Sequence, residues 1–109
     1  MNRHEQISDE LHRLLAIIAA EPNVRRVIVF GSAIGDRREI HEWSDIDMCI
    51  IEDTELRFYD RLAAWIKRLQ PRVGLDLVVY TPSEVEEMRK QGNFFTWEIE
   101  SKGRELYVA

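Results

Sequence analysis

Apolar positions along this chain recur with two different periods. Near the N-terminus Ile7, Leu11, Leu14, Leu15 and Ile18 share one helical face, which predicts an amphipathic helix over about residues 3–20. Glu21-Pro22-Asn23 breaks that pattern. Val27, Ile28, Val29 and Phe30 then form a β-branched, aromatic run that stops at Gly31, as a buried strand entering a turn would. Ser32 is placed to cap a short helix over about 33–38, whose free N–H groups would face the turn. A second apolar run covers 46–51 and closes at Glu52-Asp53-Thr54. Thr54 is placed to cap a helix reaching about residue 69, with Leu56, Tyr59, Leu62, Ala63, Ile66 and Leu69 facing inward. A turn over 71–74 leads into a third run at 75–80. Thr81-Pro82-Ser83-Glu84 is a strong helix opening: cap, proline in the first turn, and glutamate three residues on from the cap. That helix is expected to end near Gln91-Gly92-Asn93, and another to cover about 94–102 ahead of Gly103. Leu106, Tyr107 and Val108 read as a short terminal strand. Helices and strands in this order predict an α/β (α+β) fold, a small mixed β-sheet with helices packed on it.

Composition narrows the class. The 109 residues are 45% hydrophobic and 32% charged, which describes one globular domain spanning 1–109 rather than a disordered or membrane-spanning chain. A formal net charge of −5 argues against direct nucleic-acid binding through general attraction, although Arg25-Arg26 and Arg37-Arg38 could form local basic patches. Cys49 is the only cysteine, so no internal disulfide forms, and its place in an apolar strand predicts a buried, inert thiol. Neither a signal peptide nor a membrane-length apolar run is apparent, and a cytoplasmic location is expected.

Three acids stand out against this frame. Asp45 and Asp47 lie two apart at the head of the second strand, so both carboxylates project to one face. Two like charges held that close repel, and a divalent cation removes the conflict. Asp76, early in the third apolar run between Leu75 and Leu77, repeats the oddity and could complete a cluster of three. Hard oxygen ligands suit Mg²⁺, or Mn²⁺, and two such ions about 3.5–4 Å apart can clamp attacking and leaving oxygens. The start of a helix at Ser32 is a natural place for phosphate oxygens. Bland readings exist for each piece: Asp45 as a turn cap, Asp47 as a solvated edge residue, Gly31-Ser32 as an ordinary turn. The repetition at Asp76 favours the metal site.

Gly31-Ser32, then Ser44-Asp45-Ile46-Asp47, then Leu75-Asp76-Leu77-Val78 resembles the DNA polymerase β-like nucleotidyltransferase superfamily, and within it the minimal nucleotidyltransferases. The resemblance covers about residues 24 to 107, including the closing Gly103-Arg104-Glu105-Leu106-Tyr107, and the combined set is far more specific than any one part. Ala33 departs from it, standing where many minimal members carry arginine. The resemblance implies that Gly31, Ser32 and Ser44 hold the nucleotide phosphates and that Asp45, Asp47 and Asp76 bind two Mg²⁺ ions and carry catalysis. It implies transfer of a nucleoside monophosphate, AMP from ATP, to an acceptor hydroxyl. That acceptor is expected on a partner protein, a small helical HEPN-type toxin for which this chain would be the antitoxin. A homo-oligomer is also compatible. The alternatives are a small-molecule nucleotidyltransferase of the aminoglycoside-modifying kind, which normally carries an additional helical domain, and a non-catalytic module that blocks a partner by contact. An aspartate-nucleophile phosphatase is rejected, because its acid pair follows an apolar strand instead of opening one.

The remaining candidates are weaker. Arg37 and Arg38 could grip a triphosphate, and Trp43 could stack on a base or pack its loop. His4, His12 and His41 make no ligand spacing and read as surface residues. Phe94, Phe95 and Trp97 are expected to pack the last helix or to form an interface.

Overall fold

The computed structural model describes residues 2–31, 46–93 and 95–109. Four strands form one sheet: β1 (Val24–Phe30), β2 (Ile46–Glu52), β3 (Leu75–Tyr80) and β4 (Arg104–Val108). Their spatial order is β3-β2-β1-β4, with β1 antiparallel to both β2 and β4, and β2 parallel to β3. A parallel pair needs a crossover, and α2 (Phe58–Leu69) supplies it between β2 and β3. The other helices are α1 (Arg3–Ala19) and α3 (Pro82–Gln91), and a π-helical segment, Phe95–Glu100, precedes β4. The expected mixed sheet with helices packed on it is therefore present, with the third run spanning the 75–80 read from the sequence.

Side-chain alternation gives the sheet two apolar faces. On one, Val27, Val29, Ile46, Met48, Ile50, Leu77 and Val79 pack with Ile7, Leu14 and Ile18 of α1 and with Trp65 and Leu69 of α2. On the other, Ile28, Cys49 and Ile51 pack under Val85 of α3 and under Phe95 and Ile99. Gly103 closes this second cluster. A Cβ there would sit 2.3 Å from the Ile99 carbonyl oxygen and 2.5 Å from Ile28 Cγ2, so only glycine lets the chain pass into β4.

Helix ends follow local chemistry. Asn2 caps α1, accepting from the Glu5 N–H at 2.8 Å. Thr81 and Glu84 form the reciprocal capping box at the start of α3, and Gly92 ends that helix in the left-handed region. α2 departs from expectation: it begins at Phe58, and its cap Arg57 offers no side-chain bond. Thr54 instead accepts from the Leu56 N–H at 3.1 Å, a local turn that satisfies the hydroxyl before any helix begins.

The inward face of α2 is also different. Arg61, Trp65 and Leu69 are buried and Leu62 packs against the core, whereas Leu56, Tyr59 and Ile66 are exposed and Ala63 lies outward with them. Burial of Arg61 costs little because its donors are used: Leu56 O at 2.8 Å, Val79 O at 3.0 Å and the Glu84 carboxylate at 2.7 Å. Trp65 Nε1 donates to Glu52 at 2.9 Å, which satisfies an acid that is itself buried. The Arg25-Arg26 pair makes no free basic patch, since Arg25 pairs with Asp53 and Arg26 with Glu105. Trp97 is 65% exposed, so it does not pack the core as Phe95 does.

Candidate active site

The site is built where β1 ends and where β2 and β3 begin. Phe30 stands opposite Asp47 across β1 and β2, and Asp47 stands opposite Asp76 across β2 and β3. Asp47 lies between Ile46 and Met48, both in the first core cluster, and Asp76 between Leu75 and Leu77, which pack with the same cluster. Alternation therefore sends both carboxylates to the opposite face, in line with Cys49 and Val78 further along the strands. Neighbouring strands run about 4.8 Å apart, so the in-register acids stand side by side at the rim of that face. Asp47 is half-buried and Asp76 exposed, and Phe30 provides an apolar flank.

Gly31 fits this arrangement tightly. Its φ of +74° lies in the left-handed region, and a Cβ at that position would come within 2.2 Å of Asp47 Oδ2 and 3.1 Å of Asp47 Cγ. The backbone conformation thus demands glycine at the turn, and any side chain there would displace the Asp47 carboxylate lying against it. The pair Asp47 and Asp76, with Gly31 leaving room beside the first, offers hard, anionic oxygen donors of the kind a divalent cation takes. Among the described residues no group of three His, Cys, Asp or Glu converges as a complete ligand set. Asp45, expected as the third ligand, lies outside the described residues, as do Ser32, Ser44, Arg37, Arg38, His41 and Trp43.

Two residues that the sequence reading did not single out hold the β3 end of the site. Glu10 on α1 is only 4% exposed, and its carboxylate accepts from Arg13 Nε at 2.6 Å, from Arg13 Nη2 at 2.9 Å and from the Arg72 N–H. Arg13 also donates to the carbonyls of Leu69 and Gln70, each at 3.1 Å. The hydrogen bond from Arg13 holds the Glu10 carboxyl below its ordinary range, against the upward push of burial. The turn gripped in this way continues to Gly74, whose carbonyl accepts from the Ile46 N–H at 2.9 Å. One clamp from α1 thus sets the starts of β2 and β3 together, immediately before the two aspartates. The sequence held a signal for it: Glu10 sits three residues after Ile7 and four before Leu14, on the buried stripe, with an arginine three residues on.

Cys49 lies two residues beyond Asp47 on the same face, fully buried, and burial pushes its thiol up to about 12. A thiol so placed stays protonated and takes no part in chemistry at the rim. His12 is exposed, as expected, and His4 half-buried.

Residues 12–109 match the family described as "Polymerase beta, Nucleotidyltransferase", and the chain belongs to that family. Among solved structures it is similar to a Sulfolobus solfataricus protein described as a "putative nucleotidyltransferase", determined at 1.40 Å resolution. The TM-score is 0.63 at 19% identity, covering 99% of this chain and 89% of the other, which is a likeness of fold. No curated protein sequence matches the chain. No helix among the described residues is long and apolar enough to cross a membrane.

Proposed function

We propose that this nucleotidyltransferase moves AMP from ATP to an acceptor hydroxyl, with Asp45, Asp47 and Asp76 as its Mg²⁺-binding acids. The observation that carries the reading is the register of Asp47 and Asp76 on one face beside Gly31. In the reaction the acceptor oxygen bonds to the α-phosphorus and the bond from that phosphorus to the bridging oxygen breaks. Pyrophosphate leaves with the electron pair, and the hydroxyl proton is lost to a base. Asp47, half-buried against the glycine turn, holds the nucleotide side together with Gly31, Ser32 and Ser44. Asp76, exposed at the edge strand, faces an arriving acceptor and orients its hydroxyl. A divalent cation bound by these acids would supply Lewis-acid charge stabilisation and offset their repulsion of the triphosphate.

The acceptor is proposed to lie on a partner protein, a helical HEPN-type chain that this one would neutralise by adenylylation. Likeness to the minimal nucleotidyltransferases supports this, as does the open position of Asp76 at the rim. Asp76→Asn and Asp47→Asn separate the two roles. Calorimetry should show Mg·ATP binding largely retained in the first and strongly weakened in the second, while transfer of labelled AMP to the partner collapses in both. An Asp76→Asn protein that transfers at the wild-type rate, or ATP affinity unchanged by chelator, would refute the assignment.

A further inference from the structure

Helix α2 carries apolar side chains on two sides. One side packs on the sheet; the other presents Tyr59 at 79% and Ile66 at 40% exposure, with Ala63 exposed between them. Leu56, 49% exposed, extends the stripe beyond the first turn, held there by its carbonyl bond from Arg61 Nε. Three of the five large exposed apolar residues in the described part of the chain therefore belong to this one stripe. Such concentration marks a surface that is covered in use.

The charges beside the stripe indicate what covers it. From Ala63, Asp60 lies about 4.5 Å toward the helix start and Lys67 about 6 Å toward its end, at a rise of about 1.5 Å per residue. At about 100° per residue both project on the same flank of Ala63, and Tyr59 and Ile66 share the other flank. Neither Asp60 nor Lys67 has an ion-pair partner among the described residues, whereas the neighbouring Arg68 is engaged by Glu21 and lies over the Trp65 ring. An antiparallel copy of the same helix, related by a two-fold axis at Ala63, would bring Asp60 against Lys67 twice. The same operation sets Tyr59 against Ile66 twice, with the small Ala63 side chains meeting at the crossing. Self-complementarity of this kind is what an isologous interface requires.

We propose that α2 is a homodimer surface and that its occupant is the α2 of a second copy of this chain, packed antiparallel and centred on Ala63. The contact spans about two helical turns on each side, so association is expected to be weak and concentration-dependent. It leaves the rim at Asp47 and Asp76 uninvolved, and its failure would say nothing about nucleotidyl transfer.

Sedimentation equilibrium of the full chain tests it. Wild type should self-associate reversibly. Asp60→Lys and Lys67→Asp should each weaken self-association about tenfold, since each reverses two pairs at once. Mixing those two single variants should yield a heterodimer tighter than either homodimer, and the double variant Asp60→Lys/Lys67→Asp should regain wild-type association. Ile66→Glu should abolish it without changing the far-ultraviolet circular dichroism. A wild-type chain that stays monomeric up to its solubility limit would overturn the proposal. So would a dimer indifferent to all of these changes, or one in which the mixed and double variants show no rescue.

Discussion

The clamp between α1 and the α2–β3 turn can be tested directly by Glu10→Gln. Glutamine keeps the shape of the side chain but removes its charge, and it turns one acceptor oxygen into a donor that faces the donors of Arg13. In the native protein Glu10 accepts three hydrogen bonds while 4% exposed. Only the Glu10 side of this pair is buried, since Arg13 is 25% exposed, so solvent screens part of what a fully enclosed ion pair would lose. Glutamine still accepts one of the three bonds, so a loss of about 1–2 kcal/mol is expected for Glu10→Gln at neutral pH. A domain of this size has about 5–15 kcal/mol in all, so the variant should fold, melting about 5–10 °C lower. The pH dependence supplies a second, independent check. The carboxyl of Glu10 titrates below its ordinary 4.5 when folded, chiefly because Arg13 donates to it. Its stabilisation is therefore fully present above about pH 4.5 and is lost as pH falls through the lower, folded value. Urea unfolding of both proteins from pH 7 to pH 3 should show a constant gap down to about pH 4.5 that narrows below it. A gap under about 0.5 kcal/mol at pH 7, or one that does not narrow in acid, would refute the clamp as drawn.

Gly31→Ala should cost the turn about 1–2 kcal/mol for a left-handed residue and also push the Asp47 carboxylate from its place. Calorimetry should show Mg·ATP affinity falling much further than thermal stability does, and a variant equally destabilised but binding normally would contradict the Gly31–Asp47 contact. Cys49 should resist thiol reagents at pH 8 in the native protein, because burial holds its thiol protonated up to about 12. Its labelling should become fast only across the urea transition, and rapid labelling without denaturant would show the second core cluster to be open.

Local chemistry made part of this molecule readable in advance. The capping box at Thr81 and the left-handed glycine at 92 use only neighbouring residues, so the boundaries of α3 were legible. The 75–80 strand was legible because its apolar run is bounded by a turn and a helix cap. Asp76 was legible as an anomaly, an acid in an apolar run. What local pattern could not show is that β2 and β3 pair in parallel with Asp47 opposite Asp76, a register set by the α2 crossover and the clamp beneath it. Thr54 failed as a helix cap because a serine- or threonine-type turn competes for the same hydroxyl.

The face of α2 shows why hydropathy alone misleads at a crossover helix. Periodicity treats every apolar residue as a vote for the buried side, and Leu56, Tyr59, Ala63 and Ile66 outvote Trp65. The structure orients the helix by polar satisfaction as well. Arg61 reaches the carbonyl of Val79 on the edge strand β3, and it grips Glu84 at the start of α3. Trp65 must place its indole N–H on the buried Glu52. These two bonds point the Arg61–Trp65 side inward, so the 59–63–66 stripe has to face out. An exposed apolar stripe is thus a consequence of how α2 is fastened to the sheet. A second copy that covers the stripe would recover apolar burial that the monomer gives up to satisfy its edge strand and its buried acid.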